Sequence, residues 1–362
     1  MAGNVATYAD IHARTRIMFS LLLSPQIQER LSEATDLVSL ISLLKDTVYG
    51  TYLTQVEDKE IDPRRSVYQI KRLVANSYLS IIRTAPLQAR PLLVQLYRHF
   101  ELDNLKAILR GVVSGANWDQ VRYVLFPLGD FTLLPAQAMV ESGNVAAAVD
   151  HAADTPYYST LSYAMQRYTV EQNLFPLEVA LDLSYWRKLW EFVHKLPVQD
   201  QTQALRVIGP LVDVTNLMWA IRYRSYHHLA EEEIINYTLP FGYRVQDMDV
   251  RAIAAGADID NVLERIYPGM ENIRNLLQQP AQGLPILEVV LLRLIAGQCI
   301  GMFSGYPFQI GLQLAYLVLI EYESRDLTVL IEAKASQMPY EEFGPFLVTA
   351  QGLADRNRLL AS

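Results

Sequence analysis

Glu101-Leu102-Asp103-Asn104-Leu105, running on through Ile108 to Arg110, is a helical phrase that the chain uses three times. Asp213-Val214-Thr215-Asn216-Leu217 continues through Ala220 to Arg222, and Glu323-Ser324-Arg325-Asp326-Leu327 through Leu330 to Glu332. Each copy has an acid, then Asn or Asp three positions on, Leu four on and a charge nine on. The acids stand 112 and then 110 residues apart. That interval is the size of a domain, not of a solenoid repeat, and predicts one helical unit built three times. The units are read as 1–125, 126–239 and 240–362.

Shorter matches keep the same spacing. Asp46-Thr47-Val48-Tyr49 returns as Asp154-Thr155-Pro156-Tyr157, and Pro127-Leu128-Gly129 as Pro240-Phe241-Gly242. Gly143 and Gly256 each follow 14 residues after the last glycine of that second pair, where a helix end needs left-handed backbone. Asn144 and Asp258 are then N-caps of the next helix, as Ser24-Pro25 and Thr35-Asp36 are starts in the first unit. Apolar periodicity near 3.6 residues runs through the chain, for example Leu37, Leu40, Ile41 and Leu44. Most prolines, Pro285 among them, fall near expected helix ends, and Pro210 either starts or kinks the second motif helix. The fold class is all-α.

At 100° per residue the motif acid projects from the middle of the apolar stripe, while the charge nine positions on lies opposite. A carboxylate in that setting is costly unless it is hydrogen-bonded or paired. Glu101, Asp213 and Glu323 are therefore expected either to be tied to backbone amides or arginines of an adjacent helix or to stand half-exposed at a helix edge. Arg14 and Arg16 are candidates, because Ala13-Arg14-Thr15-Arg16 echoes Ala220 to Arg224.

With 362 residues, 51% apolar and 19% charged, the chain can bury several cores. A net charge of −8 and the lack of a basic run argue against nucleic acid as a partner. The single cysteine, Cys299, leaves no disulfide framework and no cysteine zinc site. Asp10, His12 and Arg14 stand where a signal peptide would be apolar. Leu284 to Phe303 is long enough for a bilayer, but carries Glu288, Arg293 and Gln298 and is read as a buried helix at the centre of a domain.

No catalytic or cofactor set emerges. His227-His228 with Glu231, Glu232 and Glu233 has metal-like spacing, but reads better as a hydrated charge cluster at a helix end. Asp247, Asp249, Asp258 and Asp260 occupy capping positions. Gly111, Gly115 and Gly129 lack phosphate-loop spacing, and Cys299 sits in an apolar helix. No catalytic residue, metal ligand or cofactor is assigned.

In the order and spacing of these motifs the chain resembles the C subunit of the A-type/V-type rotary ATPases, the d subunit of vacuolar ATPases. Tyr8 with Ala13-Arg14-Thr15-Arg16 and Leu21-Leu22-Leu23 is similar to the opening helix of that family, and the likeness extends to about Ala335. The third unit departs most, with Asp326 for Asn and Glu332 for Arg. The resemblance implies three similar helical domains about a pseudo-threefold axis, forming a funnel. It implies a non-catalytic part of the central stalk that couples the shaft (D- and F-type subunits) to the membrane proteolipid ring, for ion or proton transport linked to ATP hydrolysis or synthesis. Such a protein would be cytoplasmic and peripheral, with no membrane span of its own. On that reading Arg110, Arg222 and Arg224 line the cavity or domain seams, and Arg14 and Arg16 help close the ring. The competing readings are a helical scaffold for another partner and an all-α lyase or transferase.

Overall fold

A computed structural model describes residues 2–53, 61–268 and 280–349. The first stretch holds α1 (Ala2–Ser20), α2 (Pro25–Glu33), α3 (Leu37–Lys45) and the single turn α4 (Gly50–Leu53). Two long helices follow, α5 (Pro63–Thr84) and α6 (Arg90–Ser114), then the turn α7 (Trp118–Val121). The short pair α8 (Ala136–Val140) and α9 (Val145–His151) leads to α10 (Tyr158–Glu171), α11 (Phe175–His194) and α12 (Val198–Ser225). The last part runs through α13 (Glu231–Asn236), α14 (Asp247–Ala254), α15 (Ile259–Ile266), α16 (Pro280–Met302), α17 (Ile310–Ala335) and α18 (Tyr340–Phe343). Among the described residues there is no strand, and the fold is all-α.

Local chemistry explains where the short helices begin. The Ser24 side chain accepts from Ile27 N with Pro25 in the first turn, and Asp36 forms a reciprocal capping box with Ser39. Asn144 caps α9 through Ala147 N, and Asp258 caps α15 through Asp260 N. Each cap satisfies a main-chain donor that the helix cannot, for about 1 kcal/mol. Gly143 and Gly256, at φ 82° and 97°, supply the left-handed turns between α8 and α9 and between α14 and α15.

Pro210 lies inside α12 rather than at its start. Proline has no N–H to offer the carbonyl four residues back. Gln298 of α16 fills the gap, its Nε2 donating to Arg206 O at 2.8 Å. Pro285 also lies inside a helix, α16, and not at an end.

The helix surrounded by apolar neighbours is α17, not α16. Ile310 to Ile320 are buried without interruption, because α17 packs against α1, α3, α5, α12 and α16. Each fully buried Leu or Ile there contributes about 1.5–3 kcal/mol before the cost of ordering the chain. By contrast α16 hides Leu287, Leu291, Ile295 and Cys299 but leaves Leu294 46% exposed. Among the described residues two helices, α12 and α16, are long and apolar enough to cross a membrane; the apolar window of α12 is 72% buried within the fold, that of α16 50%. The long helices touch in a closed circuit, with α5 on α6, α6 on α11, α11 on α12, α12 on α17 and α17 back on α5.

Candidate functional site

The three motif acids are all buried, Glu101 and Asp213 at 0% exposure and Glu323 at 2%. Each grips a non-helical segment outside its own helix. Glu101 accepts from Leu133 N, from Tyr157 Oη at 2.7 Å and from Arg98 Nη1 at 2.5 Å. Asp213 accepts three successive main-chain donors, Tyr243 N at 2.7 Å, Arg244 N at 2.8 Å and Val245 N at 3.2 Å. Glu323 accepts from Leu23 N at 2.7 Å and Tyr49 Oη at 2.8 Å. Burial of a carboxylate is tolerable only with such partners. Burial raises Asp213 from its ordinary value, and Glu323 to about 7.

The residue three positions on shares the helix face and grips a second point of the same region. Asn104 pairs with both main-chain groups of Phe126, donating to its O at 2.9 Å and accepting from its N at 2.6 Å. Asn216 does the same with Leu239, and also donates to Phe241 O. Asp326 stands at the third site. A carboxylate only accepts, and it meets only donors: Val348 N at 2.7 Å, Thr349 N at 2.6 Å and Thr349 Oγ1 at 2.6 Å. The departure from Asn thus matches a change in what is gripped.

The first two clamps hold continuous loops, 126–133 and 239–245. Here the second glycine of the Pro-x-Gly pair matters: a Cβ on Gly242 would lie 2.0 Å from Val245 O and 3.1 Å from Asp213 Oδ1. The third clamp holds two stretches distant in sequence, Leu23 and Val348-Thr349. Gln28 stitches them together, donating from Nε2 to Leu23 O at 3.3 Å and to Thr349 Oγ1 at 3.2 Å.

Arg14 and Arg16 are not partners of the acids. Tyr8, Ile11 and Thr15 take the inward face of α1, so 14 and 16 fall on the exposed side. Arg14 is exposed; Arg16 donates to Phe303 O at 2.8 Å, which does link α1 to the end of α16. Arg224 caps the end of α14, donating to Ile253 O, Gly256 O and Ala257 O. Sequence reasoning misses the tyrosine partners, although Tyr49 and Tyr157 end the two Asp-Thr-x-Tyr matches and carry that signal. A third such tyrosine, Tyr267, follows 110 residues after Tyr157. Burial and then the Asp213 carboxylate raise its phenol above the ordinary range.

The charges nine positions on cross to the next long helix. Arg110 of α6 makes a two-pronged pair with Glu178 of α11, at 2.6 and 2.8 Å. Arg222 of α12 pairs with Glu288 of α16 at 2.8 Å. Glu332 of α17 acts electrostatically on Lys71 of α5. Those two line a cleft of about 930 Å³ with Asp62, Arg64 and Tyr123. His227 stacks on Phe175 with ring centres 4.7 Å apart. Among the described residues no group of three or more His, Cys, Asp or Glu could hold a metal ion.

The profile of the ATP synthase (C/AC39) subunit matches residues 11–344, and the chain belongs to that family. It is similar to the C subunit of the A-type ATP synthase of Methanocaldococcus jannaschii, 24% identical over 358 residues, covering 96% of this chain and 88% of that protein. The same protein of Archaeoglobus fulgidus is 24% identical over 342 residues, covering 94% and 96% respectively. That of Methanothermobacter thermautotrophicus is 23% identical over 334 residues, covering 90% and 84%.

Proposed function

We propose that this chain is the non-catalytic central-stalk component that couples the rotating shaft of an A/V-type ATPase to its membrane proteolipid ring. The observation that carries the reading is the third clamp, in which Glu323 and Asp326 of one helix hold Leu23 and Val348-Thr349. A coupling transmits torque without chemistry, so it must resist shear between its parts. Holding Leu23 and Val348-Thr349 on one buried helix ties the first and last described parts of the circuit of long helices together. On this reading the units 1–125, 126–239 and 240–362 are similar domains about a pseudo-threefold axis, enclosing a funnel. Each clamp then fastens one unit to the next, the third returning to the first.

The partners are the D- and F-type shaft subunits within the funnel and the proteolipid ring at its other end. The protein would lie on the cytoplasmic side, peripheral to the membrane. Its contribution to ATP synthesis or ATP-driven ion transport is mechanical. Arg110, Arg222 and Arg224, with Glu332 and Lys71, are the polar groups near the seams from which shaft contacts would be drawn. An exposed ion pair contributes under about 1 kcal/mol to folding, so Arg110 and Arg222 can be removed without unfolding the chain. Replacing Arg110 and Arg222 together by Ala is expected to weaken binding to purified shaft subunits about tenfold or more, by calorimetric titration. Unchanged affinity would reject the role of these two residues.

A further inference from the structure

The Glu323 carboxylate on α17 has fewer hydrogen-bond donors than the acids of the other two clamps. Glu101 has Arg98 at 2.5 Å, and Asp213 has three main-chain donors. Glu323 has two neutral donors, Leu23 N and Tyr49 Oη, and the buried Asp326 one turn further along α17. Among the described residues no Lys or Arg forms an ion pair with it.

Beside this carboxylate lies a cavity of about 190 Å³. Phe19, Leu22, Ile300 and Leu319 form apolar walls, and Glu323 and Gln28 lie in its polar part. Gln28 is 5% exposed; its amide nitrogen is used on Leu23 O and Thr349 Oγ1, while its Oε1 has no partner among the described residues. The hollow is thus bordered by a carboxylate and by Gln28, whose buried amide oxygen is a second acceptor close by. An orphaned buried acceptor and a buried carboxylate without a counter-charge are each unfavourable, and one ligand chemistry answers both. It must carry positive charge, present several N–H donors from a compact head, and have a short aliphatic stem. The volume is roughly that of six water molecules, which sets the stem at about four carbons.

We propose that this cavity binds a primary alkylammonium group, its N–H donors directed at Glu323 and Gln28 Oε1 and its methylenes against Ile300 and Leu319. The ammonium supplies the cation that the third clamp lacks and fastens the Leu23 and Thr349 segments more tightly. A free short amine and a lysine side chain share this chemistry. The titratable groups facing Glu323 are Tyr49 and Tyr316, which burial keeps protonated, and Asp326. Burial raises Glu323 to about 7, so binding strengthens above that pH as the carboxylate ionises. The inference concerns the closure of this chain alone and stands whether or not the coupling role does.

The test is thermal unfolding of the full chain with n-butylammonium chloride against sodium chloride at matched ionic strength. At about pH 8 the midpoint is expected to rise by a few degrees with dose, and to rise less at about pH 6. Tetramethylammonium, which has charge but no N–H, should not raise it. Nα-acetyl-lysine amide separates the sources: a rise equal to that with butylammonium assigns the site to a side chain, and a smaller one to free amines. Ile300→Phe, which fills the hollow, and Glu323→Gln should each abolish the response. If Glu323→Gln does not fold, the cavity-filling variant decides. No rise with butylammonium, an equal rise with tetramethylammonium, or an undiminished rise in Ile300→Phe would reduce the hollow to a packing gap and overturn the proposal.

Discussion

Asp213→Ala is expected to destabilise the chain by about 3–5 kcal/mol, among the largest losses a single substitution can give. The substitution removes the shared acceptor of Tyr243 N, Arg244 N and Val245 N. Val245 is 1% exposed and Asp213 0%, so water cannot simply replace the carboxylate. A buried N–H left without a partner costs about 1–3 kcal/mol, partly recovered where the loop relaxes toward solvent. Asp213→Asn keeps one acceptor oxygen but turns an NH₂ toward donors, and should cost about half as much. Urea unfolding followed by circular dichroism measures both. Alanine and asparagine variants within about 0.5 kcal/mol of the parent would mean that the loop is held by something other than this carboxylate.

Glu323→Gln is expected to change how stability depends on pH. The folded-state pKa of Glu323 is raised from the usual 4.5 to about 7, chiefly by burial. The folded protein therefore holds a proton that the unfolded chain releases. Its contribution is fully present below pH 4.5 and is lost as pH rises through about 7. The size of that loss is about 3 kcal/mol. Glutamine cannot titrate, and its amide retains an acceptor for Leu23 N or Tyr49 Oη. The stability of the parent minus that of the variant should therefore fall by about 3 kcal/mol between about pH 4 and pH 8. A parallel pair of stability curves would show that Glu323 ionises at its ordinary value in the folded chain.

Much of this organisation is legible in the sequence, because its signals are local. A carboxylate amid an apolar stripe with Asn or Asp three positions on declares a buried polar anchor, and all three anchors are buried. Caps at Ser24, Asp36, Asn144 and Asp258 are read from neighbours within a few residues. What an anchor grips is not local. Leu23 and Tyr49 lie 300 and 274 residues from Glu323, and no periodicity reports such a pairing. Arg14 and Arg16 stand out by sequence echo, but the rotation of α1 turns them away from the acids. Pro210 is ambiguous on paper because its resolution depends on Gln298, 92 residues from the carbonyl that it serves. The apolar run at 284–303 reads as central, although only one face of α16 is buried. The run in α17 is broken on paper by Gln313, Glu321 and Glu323, yet Gln313 and Glu323 are buried and Glu321 pairs with His99 and Tyr78.

That last cluster adds a tie across the circuit. Glu321 of α17 lies 3.3 Å from His99 of α6 and accepts from Tyr78 of α5. Burial pulls His99 down, but the Glu321 carboxylate outweighs it and holds the imidazole up to about 9. At neutral pH the imidazole is therefore charged and the pair intact, so α5, α6 and α17 meet at an ion pair as well as through apolar packing. Such ties and the three clamps give the proposed coupling its stiffness.

Coupling itself is tested most directly by reconstituting the ATPase in sealed vesicles with and without this chain. Without it, ATP hydrolysis should persist while ATP-driven ion uptake is lost, and adding back the purified chain should restore uptake. ATP-driven uptake that proceeds equally well in its absence would contradict the account.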